Sequence, residues 1–397
     1  MQNFLSNAFK RNQTQQNAFI SKSNPQGASM SKNAPFQNLI LQKYCANGND
    51  FLIFHTFMQG DFSELAKRLC DRFYGIGADG LVVVLPQNPT KDSTKEHTKE
   101  SSPKSTANVA YKWDFYNSDG SKASMCGNAS RCVGHYAFCF GLAGQRHSFL
   151  SEAGIISIEV DGDIVQSNLG KFHSLKKLGK LKEIVSLKEI TNYMEEGKSS
   201  YAPALKAIKE SKDSSFDLAL RWAMGDFGKN GDLDKDFGQD FVEDSKELAH
   251  FALDKLEMLK NSEWFYLNTG VPHLVCFLSE DLLPNAKDNA QNKPILAILR
   301  KKFDANATIA HKVDDKRVKF ASFERGVEAV TLSCGSGMAA ALVVGYRFFG
   351  IDSKAMLIPP SGEPTQVSED SEGYVYLRGA VWHIASCNVS ANLLSKI

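Results

Sequence analysis

The sequence predicts an α+β protein built from two related halves, each a set of short strands around one buried central helix. Two observations carry this. Cys126-Gly127-Asn128 opens a largely apolar helix ending at Phe140-Gly141, and Cys334-Gly335-Ser336 opens a second one ending at Phe349-Gly350. Upstream, the strand–turn–strand pattern at 43–54 is echoed at 264–278. A helix apolar on all sides has to be enclosed, and the short strands around these two are the available enclosure.

The chain has 397 residues, 43% hydrophobic and 23% charged, which makes it globular with room for two or three domains. A formal net charge of +1 argues against nucleic acid or an anionic membrane as the main partner. No apolar run is long enough for a membrane-spanning helix. The eight cysteines are dispersed and include no CxxC pair. That favours a reduced, cytoplasmic setting over a disulfide framework.

Taken in order, residues 1–38 are rich in Asn, Gln and Ser and read as a disordered tail in which Met30 is a candidate start. Residues 39–54 form a strand, a turn at Asn47-Gly48 and a second strand. A short helix over 64–73 leads through the glycine loop 74–80 into the buried strand 81–85. Residues 86–108 read as an exposed insertion, since Pro, Thr, Ser, Lys and Glu cannot build a core. Strand 113–116 and the turn 117–121 deliver the chain to Cys126, and a hairpin joins 155–160 to 164–169. The next stretch holds a basic cluster at Lys176, Lys177, Lys180 and Lys182, read as a solvated face. Helices are expected near 203–211 and 242–260, within an insertion at about 179–260. Strands resume at 264–278 and 318–323, before Glu324-Arg325-Gly326 and Ser333-Cys334-Gly335-Ser336-Gly337. The expected domains are 39–168 and 169–382, with a C-terminal strand at 383–397 completing the first.

One cysteine alone is most simply a core residue. Cys132, His135 and Cys139 share a helix face, but their apolar neighbours favour a buried helix over a metal site. The repeat changes the weight of Cys126 and Cys334. Each stands at a helix N-terminus, where backbone N–H groups lower thiol pKa values and receive carboxylates. Two thiols suit inversion of a carbon centre, which needs a base on one face and an acid on the other. The helix termini can stabilise the enolate-like charge that develops, so no cofactor and no metal is expected.

The segments 43–51, 75–80, 117–120, 125–132, 270–273, 324–326 and 333–337 occur in the order and approximate spacing of diaminopimelate epimerase, and the chain resembles that family over roughly 39–392. The resemblance implies two pseudo-symmetric domains, each a mixed β-barrel-like shell around its helix. It implies PLP-independent interconversion of LL- and meso-diaminopimelate, for lysine and peptidoglycan precursors, by a cytoplasmic homodimer. It makes Cys126 and Cys334 the acid/base pair and His273 and Glu324 the groups that tune Cys334. Asn49, Asn117, Gly127, Asn128, Asn306, Glu324, Arg325, Gly335 and Ser336 become the substrate-binding positions, with Arg325 holding the distal carboxylate. Gly80, Val271 and Val330 depart from the residues many members carry there, and the spacing from Arg325 to Cys334 is one residue longer. The alternatives are a proline or hydroxyproline racemase of the same two-cysteine logic, and a non-catalytic redox protein pairing the two cysteines.

Overall fold

The computed structural model describes residues 39–86, 109–196, 216–217, 219–220, 256–289 and 293–394. The tail, Met30, nearly all of the insertion at 86–108, the helix expected at 203–211 and most of that at 242–260 lie outside these residues. The chain forms two compact units. One runs up to Ser167 and resumes at Ala380, and the other is Asn168–Gly379. The architecture is α+β in both.

In the first unit, β1 (Leu39–Ala46) and β2 (Asn49–His55) pair antiparallel across a turn where Asn47 has φ 54°. β2 lies parallel to β3 (Gly80–Pro86), and the helix Ser63–Cys70 makes the crossover. β3 pairs antiparallel with β4 (Val109–Asn117). β4 lies parallel to β5 (Arg146–Ser151), and the helix Gly127–Cys139 makes that crossover. β6 (Gly154–Asp161) and the start of β7 (Ile164–Lys171) follow antiparallel, and the C-terminal strand Trp382–Val389 flanks β1.

The second unit repeats this order. β8 (His173–Lys180) flanks β9 (Glu263–Asn268), which pairs antiparallel with β10 (Pro272–Phe277). β10 lies parallel to β11 (Asn306–Asp314) across the helix Pro294–Phe303, and β11 pairs antiparallel with β12 (Arg317–Glu324). The short β13 (Ala329–Val330) pairs with the end of β12. β12 lies parallel to β14 (Lys354–Ile358) across the helix Gly335–Phe348, and β15 (Thr365–Glu369) and β16 (Tyr374–Ala380) complete the set.

Successive side chains point to opposite faces, and where both faces are covered, as in β3, the strand is apolar throughout. In β3, Val82 and Val84 face the central helix with Tyr44, Ile53, Trp113 and Ile156. Leu81, Val83 and Leu85 face the other way, onto Leu65 and Leu69 of the crossover helix. The second unit does the same: Val275, Val318 and Phe320 pack on Met338, Leu342 and Val343, while Leu274, Ile309 and Phe323 pack with Ile295 and Leu299.

Three local expectations change. The first central helix is not apolar throughout, because Asn128, Ser130, Arg131 and His135 are buried in it. The lysine-rich stretch read only as a solvated face is the strand β8, with Lys176 and Lys177 exposed along it. The helix Pro294–Phe303, started by a proline in its first turn, answers the crossover that β10 and β11 require.

Candidate functional site

Parallel pairing of β2 with β3, and antiparallel pairing of β3 with β4, bring Asn49, Asp79 and Asn117 to one end of the first unit's strands. The N-terminus of the central helix meets them there. Cys126 is its N-cap, half-buried and in extended backbone, and its carbonyl accepts the first helical bond from Ser130 N at 2.9 Å. Behind it runs a chain of amides. Arg131 donates to Asn47 and, at 2.8 Å, to Asn128 Oδ1; Asn128 Nδ2 donates to Asn49 Oδ1 at 3.2 Å; Asn49 Nδ2 donates to Asp79 Oδ2 at 2.5 Å. Each partner fixes the next amide, so Asn49 and Asn128 are held in one orientation. Arg72 bridges Asp50 and Asp79, and Lys43 Nζ lies 3.0 Å from Asp50. Burial raises the Asp50 pKa, but the hydrogen bonds from Arg72 and Lys43 outweigh it and leave the carboxyl below its ordinary value. Asn117 is exposed, with its Nδ2 donating to Ser121 Oγ at 3.0 Å.

In the second unit Cys334 is likewise the N-cap of its helix, but only 6% exposed. Its sulfur lies 3.5 Å from Ser336 Oγ. Burial pushes the thiol well above its ordinary pKa, and the Glu324 charge adds to this. The Ser336 hydroxyl and the Gly337 N–H pull the other way without overcoming it. Thr331 Oγ1 donates to Glu324 Oε1. His273, fully buried on β10, has Nε2 2.9 Å from Ser336 Oγ and Nδ1 3.0 Å from Thr308 Oγ1. Burial lowers its pKa to about 3, so the ring is neutral at pH 7. Parallel pairing sets His273 opposite Asn306, whose Oδ1 accepts the Arg325 N–H at 2.8 Å. Arg325 Nη1 donates to Asp304 Oδ2 at 2.9 Å and to Asp304 O at 3.3 Å.

The expected residues therefore gather in two sets, one in each unit. Cys126, Gly127, Asn128, Asn49 and Asn117 lie in the first, and His273, Asn306, Glu324, Arg325, Cys334, Gly335 and Ser336 in the second. Asp79, Arg131 and Asn47 were not anticipated. A buried arginine is legible only once the asparagines it serves, 84 residues away in the case of Asn47, are folded beside it. Asp304 was missed because it ends the unexpected helix Pro294–Phe303, in left-handed backbone with φ 46°.

Two of the departures acquire reasons. A Cβ at Gly80 would lie 2.7 Å from Phe115 Cε2 and from Tyr116 O, so Phe115 fills the space a longer side chain would need. Val330 is 3% exposed in the second unit's outer core and is no site group. A Cβ at Gly337 would fall 2.3 Å from Ser322 Oγ, so only glycine lets the helix start close over β12. Cys132 packs in the first unit's interior, and Cys139 Sγ lies 3.6 Å from His135 Nδ1. Among the described residues no group of three His, Cys, Asp or Glu could hold a metal ion.

The duplicated strand order around one central helix in each unit is a fold shared with solved PhzF-type phenazine biosynthesis proteins. One from Bacillus anthracis superposes with a TM-score of 0.52 at 12% identity, covering 89% of this chain and 99% of that one. One from Clostridium difficile gives 0.51 at 11%, covering 88% and 99%. The sequence narrows the class. The family model described as diaminopimelate epimerase matches residues 41–174. The diaminopimelate epimerase of Helicobacter pylori (strain HPAG1) is 36% identical over 350 residues, 87% of this chain and 94% of that protein. That of Nitratiruptor sp. is 33% identical over 341 residues, 86% and 94% of the two chains. The chain belongs to the diaminopimelate epimerase family, and it is an isomerase.

Proposed function

We propose that the protein interconverts LL- and meso-diaminopimelate without a cofactor, supplying lysine and peptidoglycan precursors, and that Cys126 and Cys334 are its acid/base pair. The observation that carries this is the duplication itself: each unit sets one cysteine as the N-cap of its central helix, at the same point of the same strand order. Inversion needs a base on one face of the α-carbon and an acid on the other. Cys334, kept as a thiol by burial and Glu324, donates the proton in the direction for which Cys126 is the base. The roles exchange for the opposite hand.

The first-turn N–H groups at Gly127, Asn128, Gly335 and Ser336 suit the α-carboxylate and the charge that builds on it during deprotonation. Asn49 and Asn117 bind from the strand ends. Among the described residues no hydrogen bond engages Nε or Nη2 of Arg325, so that edge is the one offered to the distal carboxylate. The domains 39–168 and 169–382, a cytoplasmic location and a homodimeric state complete the reading. The eight cysteines, none of them in a disulfide, fit a reducing compartment.

The test is incubation of the reduced protein with LL-diaminopimelate, or with proline, while NMR follows epimer formation and α-proton exchange. Turnover of diaminopimelate but not of proline is expected. Turnover of proline alone would transfer the protein to the racemase reading, and turnover of neither would remove the proposal. Light scattering after gel filtration tests the dimer.

A further inference from the structure

The hydrogen bonds around His273 have a direction, and Asn306 sets it. The Arg325 backbone N–H can only donate, so the Asn306 atom 2.8 Å from it is the carbonyl oxygen. The other end of that amide is then NH₂, and it lies 3.4 Å from His273 Nε2. A donor aimed at Nε2 requires that nitrogen to be bare. The ring proton of neutral His273 is consequently on Nδ1, donating to Thr308 Oγ1 at 3.0 Å, and Thr308 shares a 2.8 Å hydrogen bond with Ser322 Oγ. With Nε2 bare, the Ser336 hydroxyl donates its proton to it at 2.9 Å, leaving an oxygen lone pair for the Cys334 sulfur at 3.5 Å.

We propose that Asn306 is a positioning residue: by fixing His273 as the Nδ1–H tautomer, it makes Ser336 an acceptor for the Cys334 S–H. Asn306 is 4% exposed and His273 fully buried, so bulk water does not set this arrangement. The assignment goes further than the substrate-binding role that resemblance gives Asn306. Its catalytic consequence rests on the proposed acid/base role of Cys334; the tautomer does not. When Cys334 gives up its proton, the Ser336 hydroxyl turns toward the thiolate, and the Asn306 amide remains as the donor to Nε2. One serine rotor thereby serves both protonation states of the cysteine.

The experiment is long-range ¹H–¹⁵N NMR on the full chain labelled with ¹⁵N-histidine, with the His273 signals identified by their loss in His273→Gln. The expected spectrum has a protonated Nδ1 and a bare Nε2 at neutral pH. A protonated Nε2 overturns the proposal outright, and this readout needs no epimerase activity, so it stands apart from failure of the proposed function. Asn306→Asp keeps an oxygen for the Arg325 N–H and exchanges the donor for a carboxylate oxygen. It should move the proton to Nε2 and lower kcat about tenfold, with KM changed by less than about threefold. An unchanged tautomer in Asn306→Asp also overturns the proposal.

Discussion

Cys126 and Cys334 cap their helices with nearly the same backbone, φ −147° and ψ 122° against φ −127° and ψ 109°, yet the groups around them differ in kind. The first unit surrounds its cap with amides locked by a buried arginine and an aspartate. The second surrounds its cap with a neutral histidine, hydroxyls and a carboxylate. Backbone geometry has been duplicated and side-chain chemistry has diverged. On the proposed assignment, the first unit's polar network orients the asparagines that would bind substrate, whereas the second's tunes the thiol.

The largest expected effects lie at the caps themselves. Cys126→Ala and Cys334→Ala should each cut epimerisation by about three orders of magnitude, because one face alone cannot invert a centre. Turnover near that of the parent in either variant would dissolve the comparison, leaving one cap as architecture. Next comes the anchor of the first network. Arg131→Met removes the donor to buried Asn47 and Asn128 and to the half-buried Ala380 carbonyl, and should cost about 3 kcal/mol of stability. Urea unfolding measures it, and a change below about 0.5 kcal/mol would mean that the amides find other donors.

The second network has a signature in pH. His273 has a folded-state pKa of about 3, below the ordinary imidazole value, so over that interval the unfolded chain binds a proton that the folded protein does not. The stability His273 contributes is complete above about pH 6.5 and should fall by about 1.4 kcal/mol per unit as pH drops below it. This adds to same-sign contributions from His55, His135, His147 and His383, whose pKa values burial also lowers. His273→Gln should remove the His273 share of the slope, and leave the rest, in melting curves recorded from pH 7 to pH 5. An equally steep slope in the variant would place the titration elsewhere.

Much of this contrast was legible in the sequence, and the rest was not, for physical reasons. Cys126, Cys334 and the hairpin at 43–54 announce themselves through local patterns: cap residues before apolar runs and an Asn-Gly turn between strands. The strand at 173–180 is hidden because two of its three lysines, Lys176 and Lys177, are exposed and its alternation is weak. Asp79, Arg131 and Asp304 have no local signature. Their roles come from partners brought in by strand pairing or by a helix end, 30 residues away for Asp79 and Asn49 and 21 for Asp304 and Arg325. The direction of the hydrogen bond from Asn306 to His273 is likewise a property of the fold.

Smaller effects refine the comparison. Cys126 is half-buried, while Cys334 is buried with its thiol pKa raised, so iodoacetamide at neutral pH should label Cys126 first. Peptide mass spectrometry decides, and earlier labelling of Cys334 would contradict the assigned contrast. Burial also raises the buried Cys276 thiol to about 12, which should make it slow to react. Smallest is Asp304→Asn, which keeps the left-handed backbone and removes an exposed ion pair from Arg325. It should raise KM for diaminopimelate about twofold and leave kcat alone.

Isotope distribution tests the two-base account most directly. LL-diaminopimelate is turned over in D₂O to low conversion, and substrate and product are analysed separately. A base on one face and an acid on the other predict deuterium at the inverted centre of the meso product and almost none in the remaining LL substrate. Deuterium entering both at the same rate would mean that one group handles the proton, and the paired roles of Cys126 and Cys334 would be wrong.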